Sequence, residues 1–366
     1  MLTECGFAIV GRTSSPLRCL VLFVLVTLVL SFATAAFGQE EARLVRLTVD
    51  PAKTGPTISP YLYGQFIEHL GRCIRQGIWA EMLRDRKFLQ EPGKSWQVVK
   101  AEGAEFDAYL DTAAAYAGDH GMALWLRSRP AGPCGIRQTG LGVVSGKEYI
   151  GYAMIAQTGS KAPVEVTLRW GDAPNEAQTV RLEPGPTYRK MDFRFKAGRS
   201  TDEASLSITL TAPGCVWLGC LSLMPANNLR GMRPDTLDLI KQIAPTIVRW
   251  PGGNFVSGYN WRDGIGERDR RPPRWERAWN DIEDNDFGLD EFMDFCREVK
   301  TEPYICVNTG LGSARDAAEE IEYANGSART RMGSLRAANG HARPYGVVWW
   351  GVGNEMFGDW QLGHVP

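Results

Sequence analysis

Glu68, Arg249, Asn254, Asn308, Asn354 and Glu355 all stand just after short apolar runs, in the segments GQFIEH, RWPGGNF, PYICVN and GVGNE. Carboxylate, guanidinium and amide side chains together offer paired donors and acceptors to a ligand rich in polar groups. A carboxyl such as Glu355 adds the capacity to give and take a proton. Ordinary turn residues would serve a purely structural strand end, so a polar group at all four favours a binding site. An internal Glu68–Arg249 ion pair bracing the same place is the alternative, and the two readings are compatible.

The runs that would carry these groups are TIVRW, PYICVN and VVWWGVG, with Tyr61 to Ile67 before them. Strands apolar on both faces, alternating with helices, define a parallel sheet covered by helices. Pro234 to Ile243 reads as one helix, with Leu237, Ile240 and Ile243 on a stripe. A second carries Leu289, Phe292, Met293, Cys296 and Val299 on one face. Functional groups of such α/β folds collect at the carboxyl ends of the strands. Gly252 and Gly253 follow a strand ended by Pro251, where positive φ is expected.

Between about Trp96 and Met224 the texture differs. Val164, Val166 and Leu168 alternate with polar residues, as do Met191, Phe193 and Phe195, and then Leu206, Ile208 and Leu210. Period-two alternation punctuated by GDAPNE and EPGPTY predicts an antiparallel sandwich or jelly roll. The expected organisation is therefore a leader over 1–38, the start of a (β/α)8 barrel over 39–91, an inserted β-sandwich over 92–228, and the barrel resumed over 229–366. Four barrel strands are legible. A complete barrel takes about 250 residues, so only half of one is expected here.

Arg12 and Arg18 precede an apolar run from Leu20 to Leu30, followed by Ala33, Ala35, Ala36 and Gly38. That order reads as a cleavable secretory signal, placing the mature protein outside the cytoplasm, secreted or periplasmic. The run is short for a membrane span, so no stable insertion is expected. The chain has 366 residues, 44% hydrophobic and 23% charged, with a net charge of −1, which argues against a nucleic-acid partner, whose binder would normally show a basic stripe. Cys73, Cys134, Cys215, Cys220, Cys296 and Cys306 show no metal-ligand spacing with the histidines, and no metal or cofactor is expected. A disulfide among Cys134, Cys215 and Cys220 is compatible with export. Cys306 reads as a buried small hydrophobe.

GQFIEHLGRCIRQGIW, VRWPGGNFVSGYNWRDGIG, FGLDEFMDFC, EPYICVN and WWGVGNEMFGDWQ together resemble the landmark segments of glycoside hydrolase family 51, the α-L-arabinofuranosidases. The resemblance covers Tyr61 to Glu81 and Arg230 to Pro366. The insert is similar in texture to a carbohydrate-binding module. The resemblance implies a retaining hydrolase releasing arabinofuranosyl groups from plant cell-wall arabinan, arabinoxylan or their oligosaccharides, in arabinose catabolism. It assigns Glu355 as general acid/base, in a partly apolar pocket beside Trp349 or Trp350 that raises its pKa. Asn354 would bind the hydroxyl next to the reacting carbon. Glu68, Arg249 and Asn254 would hold the furanose, Trp279 would form a stacking wall, and His69 would support them from behind. The family's nucleophile is a Glu on a seventh strand that this chain lacks, so the chain is expected to be inactive and poorly folded alone. Homo-oligomers are expected of the full-length form. Two alternatives remain open: a barrel glycosidase acting on β-xylosides or β-glucans, and a non-catalytic carbohydrate-binding protein.

Overall fold

The computed structural model describes residues 46–159 and 163–364, so the expected leader and its cysteines lie outside the described residues. Everything below concerns the compact unit that begins at Ile58. Strand β1 (Gln65–Phe66) opens it. Ten strands follow: β2 (Gln97–Val99), β3 (Phe106–Asp111), β4 (Gly121–Leu126), β5 (Cys134–Val143), β6 (Glu148–Thr158), β7 (Val164–Arg169), β8 (Ala177–Leu182), β9 (Arg189–Lys196), β10 (Thr201–Leu210) and β11 (Gly214–Pro225). They pair into two antiparallel five-stranded sheets, β2-β5-β10-β7-β8 and β3-β4-β11-β6-β9. Val164, Val166, Leu168, Leu206 and Ile208 of one sheet and Met122, Leu124 and Phe195 of the other are fully buried in one core. The alternation is thus the cause of the sandwich: each strand turns one set of side chains inward. Leu83 and Phe88, ahead of β2, are buried in the same core, so the chain enters the sandwich well before its first strand.

The chain then alternates. Helix α1 (Pro234–Ile243) precedes β12 (Ile247–Trp250), the one-turn helix α2 (Gly253–Val256) follows it, and a hairpin of β13 (Arg274–Glu276) and β14 (Asp281–Glu283) comes next. After that come α3 (Leu289–Val299), β15 (Glu302–Val307), α4 (Ala314–Asn325), α5 (Arg331–Ala338) and β16 (Trp349–Val352). Strands β1, β12, β15 and β16 form one sheet in that order, and every pairing is parallel. Val248, Trp250 and Ile305 meet Leu289, Phe292, Phe295 and Cys296 of α3 in a second core, with Trp250 stacked on Phe292 at 5.2 Å. The five apolar positions predicted on α3 are all buried there.

Three expectations are corrected. The strand predicted over Tyr61 to Ile67 is a 3-10 turn at Pro60–Tyr63 followed by only two ladder residues. Ser59 caps that turn and Pro60 starts it, both favouring a helical turn over extension. Gly252 has φ +125°, but Gly253 begins α2 with ordinary dihedrals. Cys134, Cys215 and Cys220 are free thiols, each on its own strand position, and burial raises Cys220 to about 12. Thiol titration of the unfolded protein without reductant is therefore expected to find all three reactive. A missing equivalent would indicate a disulfide.

Candidate active site

The carboxyl ends of β1, β12 and β16 bring four of the predicted residues together. Glu68, 6% exposed, accepts from the Arg249 guanidinium through Nε at 2.8 Å and through a terminal nitrogen at 2.5 Å, both onto Oε1. Its Oε2 accepts from the Gly253 amide at 3.0 Å. The β1–β12 register sets Phe66 opposite Arg249, so Glu68, two residues further on, lies within reach of the guanidinium. Burial disfavours the Arg249 charge, and the bond and field of Glu68 more than compensate, holding its pKa above the usual arginine value.

Gly252 is required twice over at this corner. Its φ lies in the glycine region, and a Cβ there would sit 2.5 Å from the Glu68 Cβ. The turn it permits aims the Gly253 N–H at Glu68 and starts α2, which carries Asn254. Asn254 Oδ1 accepts from Asn354 Nδ2 at 3.3 Å across the sheet. Asn354, 9% exposed, is gripped from behind by Gln361, whose amide donates to the Asn354 carbonyl. Glu68, Arg249, Asn254 and Asn354 thus form one polar group over the strand ends. The Glu68–Arg249 ion pair braces the strand ends.

Glu355 is placed differently from the expectation. It is exposed, and its carboxylate makes no hydrogen bond or ion pair among the described residues. The reason is local: Gly353 at φ +71° and Glu355 at +46° turn the chain so that Asn354 points in and Glu355 out. Neither tryptophan encloses it. Trp349 lies at the opposite end of β16, donating to Glu302 at 2.8 Å and set edge-on to Tyr61, while Trp350 packs into the helix-sheet core. No described element covers β16 on its outer side, where Val352, Phe357 and Trp360 are exposed at 81%, 78% and 59%.

Trp279 also stands apart from the four. It sits on the β13–β14 turn, 43% exposed, and lines a cavity of about 60 Å³ with His69, Arg75, Trp79 and Phe255. His69 lies between the two regions. Its ring stacks on Phe255 at 4.3 Å, and Nδ1 meets Glu283 at 2.7 Å, fastening the hairpin beneath Glu68. Partial burial of Glu283 acts to raise its pKa, but the charge and hydrogen bond of His69 outweigh this and lower it. Asn308 is a loop organiser. Its amide donates to the Tyr259 carbonyl, and its oxygen accepts from the Gly310 and Gly312 amides. Gln361 and Glu283 were missed from sequence. Gln361 lay within the recognised GDWQ segment, but nothing local marks a backbone-gripping role.

Polar groups thus converge on the carboxyl edge of a parallel sheet, and residues 239–362 match the model of the alpha-L-arabinofuranosidase 1 domain. That stretch is similar to the corresponding part of known α-L-arabinofuranosidases. Alpha-L-arabinofuranosidase C of Emericella nidulans is 44% identical over 138 residues, 38% of this chain and 27% of that protein. The intracellular exo-alpha-(1->5)-L-arabinofuranosidase of Bifidobacterium longum is 45% identical over 141 residues, 38% of this chain and 25% of that protein. The chain thus spans about a quarter of the length of these curated relatives. An arabinose-bound family 51 α-L-arabinofuranosidase structure superposes with TM-score 0.71 and 19% identity, covering 82% of this chain and 55% of that one. At that identity the likeness establishes the fold.

Proposed function

We propose that the Glu68–Arg249–Asn254–Asn354 group holds a terminal α-L-arabinofuranosyl unit of arabinan, arabinoxylan or their oligosaccharides, for a retaining hydrolase in which Glu355 is the general acid/base. The observation carrying this reading is the convergence of those four side chains, from three strand ends up to 286 positions apart (Glu68 to Asn354), on one spot. Arg249 and the two amides offer donors to ring hydroxyls, and Glu68 offers an acceptor in fixed orientation. The name of the Bifidobacterium relative favours action from chain ends on α-1,5-linked arabinose.

The sequential parallel order β1-β12-β15-β16 supports reading the sheet as the first four units of a (β/α)8 barrel, with the sandwich inserted after the first strand. A general acid in a retaining glycosidase works from an enclosed, partly apolar setting and needs a second carboxylate about 5 Å away. Glu355 has no such enclosure, and Glu68 is tied to Arg249 and the Gly253 amide. Enclosure would come from protein packed along the free edge of β16, over Val352, Phe357 and Trp360. Export through the leader over 1–38 belongs to the same proposal.

The 366-residue chain is therefore expected to bind an aryl α-L-arabinofuranoside without turning it over. Ligand-observed NMR should show binding weakened about tenfold in Asn254→Ala, the loss of roughly one good hydrogen bond. Turnover by this chain, or binding untouched in both Asn254→Ala and Asn354→Ala, would contradict the assignment.

A further inference from the structure

Nine buried side-chain nitrogens and oxygens lack a hydrogen-bond partner among the described residues, and three of them line one cavity. They are His69 Nε2, Trp79 Nε1 and Asp284 Oδ1. The His69 side chain is 6% exposed, and Trp79 and Asp284 are 3% and 7% exposed. Buried polar atoms are almost always paired, so three orphans around one space call for an occupant. The cavity of about 60 Å³ has room for about four water-sized groups. None of Glu68, Arg249, Asn254 and Asn354 lines it, so it is distinct from the group over the strand ends.

The lining is acidic, with six carboxyl side chains against Arg75 and His69. Five of the six are engaged: Glu81 by Ser222, Glu276 by the Ala278 and Trp279 amides, Asp281 by Arg75, Glu283 by His69, and Asp286 by Arg86 and Lys87. Asp284 is the one left over. Arg86 and Lys87 lie near it, but they donate to Asp286, Asp269 and backbone carbonyls instead. Burial raises the Asp284 carboxyl to about 8; Asp286 and Asp85 add to the shift, and Lys87 and Arg86 oppose it. Glu283 accepts the His69 Nδ1 proton, so Nε2 of the neutral ring is an acceptor, whereas the Trp79 indole is a donor only. The occupant must therefore donate twice and accept once. Among the described residues no three His, Cys, Asp or Glu side chains gather to hold a metal ion, and the Trp79 N–H would repel a bare cation. Trp79, Phe255 and Phe287 supply buried aromatic walls, which suit an alkylammonium.

We propose that this cavity binds a small hydroxylated alkylammonium, of which ethanolammonium is the simplest. Its ammonium donates to Asp284 Oδ1 and His69 Nε2, and its hydroxyl accepts from Trp79 Nε1. Its four heavy atoms match the volume. The bound cation takes the place of the Asp284 proton, which leaves to solvent, so binding strengthens as pH rises. Water could satisfy the same three atoms but would leave that proton where it is. Glu283 lies on the hairpin that carries Trp279, and His69 adjoins Glu68, so the occupant also steadies that hairpin beside the strand ends. The proposal is independent of the arabinofuranosyl reading.

The test is calorimetric titration of the full 366-residue chain with ethanolammonium chloride, in phosphate buffer at constant ionic strength. Ethylammonium, which lacks the hydroxyl, should bind about tenfold more weakly. Tetramethylammonium and potassium, which donate no hydrogen bond, should not bind. Ethanolammonium binding should weaken about fiftyfold from pH 8 to pH 6, the effect of displacing one proton from an acid raised to about 8. Asp284→Asn keeps the side-chain shape without the charge, and should lose both the binding and its pH dependence. Trp79→Phe should bring ethanolammonium down to the ethylammonium level and leave ethylammonium unchanged. If that variant does not fold, the two ligands compared on the parent read the same hydroxyl contact. No binding of ethanolammonium at pH 8, the result for a cavity that holds only water, would overturn the proposal. So would equal binding of potassium, or parent-like binding by Asp284→Asn.

Discussion

Arg86→Ala is expected to destabilise the protein by about 3–5 kcal/mol, the usual result of removing one partner from a buried ionic group. Arg86 is 1% exposed, lying between the sandwich and the helix-covered sheet. It donates to Asp286 through Nε at 2.5 Å and through a terminal nitrogen at 2.7 Å, to Asp269 at 2.9 Å, and to the Leu221 carbonyl of β11 at 3.1 Å. Lys87 beside it donates to the Arg268, Arg271 and Asp284 carbonyls. Burial alone would raise the pKa of Asp286, but Arg86 and Lys87 hold it far below the ordinary carboxylate value. Removing Arg86 leaves Asp269 without its cation and Asp286 with only Lys87.

The sign with pH follows from the direction of that shift. A carboxylate with a depressed folded-state pKa adds stability above its unfolded pKa and loses it as pH falls toward the folded value. The penalty of Arg86→Ala, measured by urea unfolding, should therefore be full at pH 7 and shrink below pH 4. Arg86→Lys should recover part of it, because an ammonium cannot serve two carboxylates and a carbonyl in a fixed fork. Equal stability of Arg86→Ala and parent at pH 7 would show that the cluster contributes no net energy.

This network also marks a limit on what is legible in a sequence. Arg86 and Asp286 are 200 positions apart, and neither local periodicity nor composition joins them. Periodicity succeeded where one face decides the structure, as in α3 and in the strands around Val164, Phe193 and Leu206. It missed α4, whose stripe includes the buried acids Glu319 and Glu320. It also overextended β1, where Tyr61, Leu62 and Phe66 are apolar but exposed at an open sheet edge. The polar residues after the strands were found because a parallel sheet collects strand ends on one edge. Their directions were not, since the outward turn of Glu355 depends on a left-handed conformation no residue type announces.

Glu320→Gln is expected to stabilise the protein at pH 8 by up to roughly 4 kcal/mol and to change little at pH 4.5. Glu320 is 3% exposed on α4 and makes no side-chain hydrogen bond among the described residues. Burial lifts its pKa to about 8, with Arg262 acting the other way. Arg262 cannot neutralise it fully, because it already pairs with Asp316 at 2.8 Å and with Glu319. The folded protein therefore keeps a proton that the unfolded chain releases near 4.5, and this stabilisation is lost as pH rises through 8. Glu81, raised to about 7, and Asp284, raised to about 8, pull in the same direction, so parent stability should decline across this range. Substituting Glu320 alone should remove only its own share. The quantity to measure is the stability difference between variant and parent, by urea unfolding at pH 4.5, 6 and 8. A difference that grows with pH identifies Glu320 as a buried neutral acid. A constant one would mean that Gln merely packs differently, and that the carboxyl reaches water or a cation at the mouth of the pocket it shares with Asn308 and Tyr259.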